Sequence, residues 1–354
     1  MKINKTANTL ILLLSMFCVT LFSQTDDESF GGANYTEEVS NVGTSAAAFL
    51  EIGVGANSQA MGGAFTAIAN DVSALYWNPA GITQLKKISI SANYTEWLAG
   101  TAHEYFGAVI PMGGRFAVGL SMNVLNYADK QPVRTIQLPE GTGEFYAASD
   151  MALAATVAAT VTDKFSFGLT TKYILQQLWH ESASAFAIDV GVLYNTQIEG
   201  LRIGTTIANY GSELQMTGRD LRRPFDADET HYSNDRLNIL LETDQFPLPL
   251  LFRFGLAYSF SPFLGQHVTL AADLNHPSNS VESLDLGLEW AVGSMIVARM
   301  GYQSLFDDHT ENGLSAGFGL APQIGNSMQV GFNYAWSAWG LLGTVQRFSI
   351  DLKF

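Results

Sequence analysis

In KFSFGLTTKYIL, residues 164 to 175, alternate side chains fall into two sets: Phe165, Phe167, Leu169, Thr171, Tyr173 and Leu175 share one face, and Ser166, Gly168, Thr170 and Lys172 share the other. Successive side chains of a strand point to opposite faces, so a period of two means extended backbone with one oily side. The pattern returns in SAFAIDVGVLYN (184–195), PLLFRFGLAYSF (249–260) and SLDLGLEW (283–290), where Asp189, Arg253, Asp285 and Glu289 all take the side that large apolar residues avoid. An oily sheet face needs an apolar partner, which is either a second sheet or a bilayer.

The start of the chain and its composition favour the bilayer. Lys2 and Lys5 precede an apolar run from Leu10 to Phe22, then Ser23 and a polar stretch, the order of a secretory leader covering residues 1–23. The only cysteine, Cys18, lies inside that run, so the mature chain is expected to lack thiols and disulfides. Charged residues are 14% and hydrophobic ones 47% of the sequence, against a charged share of about 25% in soluble domains. Removing Lys2 and Lys5 leaves 16 basic against 33 acidic residues, a net of −17. Such a surface repels nucleic acid, whose phosphates need clustered Lys and Arg. No later stretch is long and apolar enough for a spanning helix, so the remaining way to cross a membrane is a closed sheet.

Read for alternation, the chain predicts strands near 86–97, 102–111, 115–125, 150–161, 164–179, 184–195, 200–210, 249–260, 266–274, 283–292, 295–304, 313–320, 326–336 and 344–354. That is an all-β fold, a transmembrane antiparallel β-barrel of about 14 strands. With the first strand running outward, one set of connections is uniformly short and the other contains the long segments 126–149 and 211–248, matching periplasmic turns and external loops. The last strand ends in Phe354 after alternating Phe348, Ile350 and Leu352, the form of an outer-membrane assembly signal.

A Lys or Arg facing lipid at mid-bilayer costs about 2–4 kcal/mol. By parity Lys172, Arg202, Arg253, Arg299 and Arg347 face the lumen, where Asp189, Asp273, Asp285, Glu289 and Asp351 are available to pair with them.

About 14 strands enclose more space than their own side chains fill, and residues 24–85 precede the first strand. They are the expected plug, ahead of a barrel of 86–354. Small residues dominate AMGGAFTAIA (60–69), with Gly62 and Gly63 permitting close backbone approach. Asp71 is placed to cap a short helix from Val72, and Asn78, preceding Pro79, is biased out of the helical region, so the helix should end near Trp77. Gly81 is read as the turn into the first strand, with Tyr76 and Trp77 anchoring the plug at the barrel's mouth.

The run GVGANSQAMGGAFTAIANDVSALYWNPAGI, residues 53–82, resembles the N-terminal motif of FadL-like outer-membrane proteins and, more closely, of the PorV/PorQ family. The resemblance implies a 14-stranded barrel with an N-terminal plug. For PorV/PorQ it also implies a role in type IX secretion or cell-surface attachment, with sorting-domain cargo, a translocon or attachment proteins as partners. Gly63 and Gly81 stand where the cargo-shuttling members tend to carry Asp and Lys. The alternative is a FadL-like passive transporter of a hydrophobic small molecule across the outer membrane.

Other constellations carry less. His103, His180, His231, His267, His276 and His309 lack metal-ligand spacing, so no metal or cofactor is expected. Carboxylates around Asp226, Asp228, Glu229 and Asp235, and at Asp307, Asp308 and Glu311, read as solvated external loops. Arg219, Arg222 and Arg223 are candidate contacts to partner proteins or outer-membrane lipids. No Ser/His arrangement shares a face, so the reading is non-enzymatic.

Overall fold

The computed structural model describes residue 41 and residues 43–354 other than 128–129, 227–236, 264, 294, 308–309, 312 and 325–327. The leader, Cys18, His231, His309, Asp228, Glu229, Asp235 and Asp308 lie outside the described residues.

Fourteen long strands form the wall: β1 Ser89–Glu96, β2 Ala102–Pro111, β3 Phe116–Asn126, β4 Ala148–Thr162, β5 Phe165–Leu178, β6 Glu181–Asn195, β7 Leu201–Gly211, β8 Leu251–Phe260, β9 Gln266–Pro277, β10 Ser283–Val292, β11 Ile296–Leu305, β12 Leu314–Leu320, β13 Met328–Ala338 and β14 Thr344–Lys353. Each pairs antiparallel with its neighbours in sequence, and β14 closes on β1 with Arg347 opposite Thr95 and Phe348 opposite Tyr94. Closure leaves no strand edge, the condition for a sheet in hydrocarbon. Large apolar residues such as Leu120, Phe186, Leu256, Phe318 and Phe348 are exposed around the outside, while their strand neighbours are buried within.

Two charges break the sorting. Glu96 and Glu104 are exposed on the outer face, and Glu104 lines an external groove with Tyr94, Phe106, Met122 and Phe348. Glu96 ends β1 and Glu104 is third in β2, beside the hairpin 97–101. At that height an amphipathic aromatic belt borders headgroup water, which a carboxylate reaches without entering hydrocarbon.

The wall starts at Ser89 rather than Lys86, and residues 43–88 thread the lumen as short helical turns. They comprise a 3-10 turn Ala48–Glu51, helices Ala56–Ala60 and Ala74–Trp77, and a 3-10 helix Pro79–Gln84. Nearly every residue from Ile52 to Ile82 is buried. The wall admits them because its inward positions are small. A Cβ on Gly168 would lie 2.3 Å from the Pro79 carbonyl carbon, one on Gly204 2.3 Å from Thr66 O, and one on Gly301 2.2 Å from Gly62 N. These glycines form a groove in which wall and plug meet backbone to backbone.

Candidate functional site

Asn78 is one of several residues that tie the plug to the wall. Its backbone is extended (φ −158°, ψ 105°), which ends the helix at Trp77. The same residue then caps the next one, its Oδ1 accepting from Ala80 N–H at 3.1 Å with Pro79 at the first helical position. Its Nδ2 donates to Thr66 O within the plug and to Val192 O of β6, both at 2.9 Å. Sequence reading found the helix stop and missed the cap and the bridge. The Asn-Pro pair signals the first, while the second depends on which wall strand lies opposite.

Asp71 Oδ1 accepts from Ser73 N–H at 2.8 Å and from Ser73 Oγ at 2.6 Å, and Oδ2 accepts from Asn57 Nδ2 at 2.9 Å. Trp77 Nε1 donates to Val54 O at 2.8 Å, and Tyr76 Oη donates to Leu50 O at 2.9 Å. The two rings meet edge to face, the Arg253 guanidinium lies over both, and Thr206 Oγ1 donates to Trp77 O at 3.1 Å. Thr206 is central in β7, so the aromatic pair sits deep in the lumen and not at its mouth. Gly62 and Gly63 have φ of +66° and +85° and abut Tyr302 backbone and the Asp285 carboxylate. Gly81 has an ordinary φ and lies inside the 3-10 helix, so its role is not the turn. A Cβ there would sit 2.3 Å from Ala69 O, which makes close packing the reason for glycine.

The inward charges differ in their partners. Lys172 Nζ lies 2.7 Å from Asp189 Oδ2, and Arg299 Nε donates to Glu289 at 2.8 Å. Asp273 accepts from the plug N–H groups of Phe65 (2.9 Å) and Thr66 (2.8 Å). Asp285 accepts from Asn275 and Ser304 N–H, and Asp351 from Asn333, all at 2.8 Å. Arg202 donates to Gln84 Oε1 at 2.7 Å, and Gln84 holds the carbonyls of Ile68 and Ala69. Arg347 donates only to Ser337 Oγ, at 2.9 Å, and has no carboxylate partner among the described residues.

The wall is irregular at β6–β7. The register passes from Ile188↔Tyr210 to Val190↔Ile207, so β7 carries one extra residue opposite Asp189. Asn209 takes φ +63° there, a bulge conformation that Asn tolerates. Its N–H donates to Asp189 Oδ1 at 2.8 Å, its Oδ1 accepts from Lys172 Nζ at 2.7 Å, and its Nδ2 donates to Pro249 O at 3.0 Å. Beyond the bulge the ladder lapses. Pairing with β6 stops at Ala187↔Gly211 and resumes at Ser182↔Thr217, with Ser212 bonded to Phe186 between them.

The lapse opens a cleft of about 500 Å³ lined by Tyr173, Ser182, Ser184, Glu213, Gln215 and Gln245, among others. Ala183, which also lines it, belongs to an apolar cluster inside the barrel with Phe49, Leu50, Ile52, Leu125, Leu214 and Leu248. Plug residues 46–52, with Leu214, Met216 and Leu248 from the connection after β7, thus form an apolar upper lumen, and Ala183 belongs both to it and to the cleft lining. Arg219 donates to His180, whose other ring nitrogen meets Asp220 at 2.7 Å. Arg222 and Arg223 are exposed on a short ladder with Leu240 and Ile239.

No protein-family model matches the chain, and no curated protein does. Solved structures share its fold. CymD, a monoaromatic hydrocarbon channel, superposes with a TM-score of 0.52 at 12% identity over 86% of this chain and 98% of its own. The P. putida toluene transporter TodX gives 0.52 at 12% over 85% and 96%. The Ralstonia pickettii toluene transporter TbuX gives 0.50 at 14% over 85% and 97%. The chain is similar to these channels in architecture, a 14-stranded antiparallel barrel.

Proposed function

We propose that the protein is a non-enzymatic outer-membrane channel for a hydrophobic small molecule, with residues 43–88 as plug inside a barrel that starts at Ser89. The observation that carries this reading is the apolar upper lumen behind the lapse in the β6–β7 ladder. A solute entering from the 212–250 side would exchange contacts with Phe49, Leu50 and Leu248 for its own and leave sideways past Ala183, with no need to displace the plug below. The fold it shares with hydrocarbon channels supports the same reading. No feature of the site favours the type IX secretion role that the PorV/PorQ resemblance implies.

The test is uptake of a radiolabelled monoaromatic hydrocarbon by cells with and without the protein, and with Ala183→Trp, which fills the gap. Uptake should rise with the wild type and fall toward background with the variant. Equal uptake in all three, or loss of surface-protein secretion on deletion with uptake unchanged, would overturn the proposal.

A further inference from the structure

The cleft at the lapse in the β6–β7 ladder is held open by its own frame. Ser212 closes the lower edge, its backbone N–H donating to Phe186 O at 3.0 Å and its Oγ accepting from Phe186 N–H at 3.2 Å. The chain rejoins β6 above, where Thr217 pairs with Ser182, Gly218 pairs with Glu181, and Asp220 N–H donates to the Glu181 carboxylate at 3.0 Å. Gln215 braces the stretch between: its Nε2 donates to Thr243 O at 2.7 Å and its Oε1 accepts from Gln245 Nε2 at 3.3 Å, while Thr243 Oγ1 donates to Met216 O at 2.6 Å. A frame bonded at both ends and across its middle keeps about 500 Å³ open, within the range of about 300–1,000 Å³ for small-molecule sites.

Its lining differs from the apolar lumen behind it. Apart from Ala183 and Leu175 it consists of hydroxyls, amides, the Tyr173 ring and the Glu213 carboxylate. Among the described residues the frame leaves the side-chain oxygens of Glu213, Ser182, Ser184 and Gln245 without protein partners. No Lys, Arg or His of the described residues lines the cleft, and Arg219 and His180, beyond its upper edge, are turned to each other and to Asp220. A hydrocarbon here would displace water from these oxygens without replacing its hydrogen bonds. A polyhydroxylated ligand replaces them, since its hydroxyls donate to carboxylate and amide oxygens and exchange bonds with serine. Tyr173 stands at the foot of the cleft opposite Phe186, the two outward rings tilted with centroids 5.1 Å apart. The electron-rich face of an aromatic ring attracts polarised C–H groups, which a sugar ring carries on one side. Along the outer face of β6, Ile188 and Phe186 are exposed apolar residues and Ser184 and Ser182 exposed hydroxyls. The cleft therefore begins where the lipid-facing surface ends, at headgroup height on the side of the long loops.

We propose that this cleft binds a neutral saccharide, with one ring against Tyr173 and hydroxyls on Glu213, Ser184 and Gln245. Neutrality follows from the lining, because a sugar phosphate or uronate would bring a second negative charge beside Glu213 with no base to offset it. The same chemistry has two sources: a free oligosaccharide outside the cell, and the glycan of an outer-leaflet lipid whose acyl chains lie along Phe186 and Ile188. The site is on the outer side of Ala183 and stands whether or not the lumen conducts a solute.

The test uses full-length protein purified in a detergent without a sugar headgroup. Equilibrium dialysis against maltotriose, cellotriose and triacetylchitotriose, neutral trisaccharides of different linkage, should show saturable one-to-one binding of at least one of them. Glu213→Ala and Tyr173→Ala should each weaken that binding about tenfold. Both side chains are exposed, and heat-modifiable gel mobility checks that each variant is a folded barrel. Mass spectrometry of lipid co-purified from native membranes separates the sources. A glycolipid retained by the wild type and lost from the double variant identifies a lipid glycan, and trisaccharide binding without such a lipid identifies a free sugar. Neither a bound trisaccharide nor a retained glycolipid, or binding that the variants leave unchanged, overturns the site.

Discussion

Lys172→Met is the sharpest probe of the wall at the β6–β7 bulge. Lys172 Nζ has two partners at 2.7 Å, Asp189 Oδ2 and Asn209 Oδ1. Asp189 is wholly buried, so its carboxylate loses its counter-charge and keeps only the Asn209 N–H at 2.8 Å. Methionine nearly conserves volume, which leaves the stranded charge as the main term, about 3–5 kcal/mol. Asp189→Asn strands the ammonium instead and should cost a similar amount. Lys172→Met with Asp189→Asn removes both charges while the amide oxygen still accepts from Asn209 N–H, so the double variant should be more stable than either single one, with a coupling energy of about 2–3 kcal/mol. Denaturant titration of the four proteins in one detergent measures the cycle. Single variants costing under about 1 kcal/mol would mean the pair is solvated, and additive costs would mean the side chains do not act on each other; either refutes a dry, ion-paired bulge.

Three further outcomes follow from the same contacts. Asn78→Asp keeps the cap acceptor but turns a carboxylate toward Thr66 O and Val192 O, so it should destabilise the plug more than Asn78→Ala, itself costing about 2–4 kcal/mol, read as protease sensitivity of residues 60–82. Gly204→Ala, whose Cβ would lie 2.3 Å from Thr66 O, should lower the melting temperature well below that of Gly331→Ala, whose nearest contact is 3.3 Å. The His180 hydrogen bond, with lesser help from Arg219, holds Asp220 below its ordinary 3.8. A depressed carboxylate stabilises above its unfolded value and loses that contribution as pH falls through its folded one. Protection of residues 219–225 from pepsin should therefore drop below about pH 4 in the wild type, and Asp220→Asn should lack the step.

The wall was legible because bilayer sorting leaves a period-two record wherever lipid touches one face, and each predicted strand has its counterpart. The ends blur where that force stops. Asn275, His276 and Pro277 extend β9 beyond 274, and Glu181 to Ala183 extend β6 before 184, in sequence where large apolar residues no longer mark the outer face. The ladders Arg222–Phe225 with Leu237–Leu240 and Leu214–Gln215 with Gln245–Phe246 are too short to carry a period at all. Within the site, the helix stop at Asn78 is local chemistry and could be read. The bridge to Val192, the bulge at Asn209 and the choice of Ser337 as the partner of Arg347 depend on register between distant strands, and parity says which face a residue takes without saying what stands across from it.

The glycine groove also decides which part of the plug is free to yield. Around Gly62, Thr66 and Pro79 the plug lies on Gly301, Gly204 and Gly168 with no side chain between the backbones. Sliding there would separate several close contacts and the Asn78 and Asp273 hydrogen bonds together, and the interdigitated geometry offers no intermediate resting place. Residues 46–52 are held differently. Ala46 N–H reaches Pro247 O, Ala47 N–H reaches Gln176, Leu50 O accepts from Tyr76, Glu51 Oε2 accepts from Asn279 Nδ2 at 3.3 Å, and apolar burial of Phe49, Leu50 and Ile52 adds to these. Apolar contacts are non-directional, so a solute of similar shape can replace them at little net cost. On the proposed channel function the lower plug stays and the upper segment exchanges with solute, which places the adaptable surface beside the lapse in the wall at Ala183.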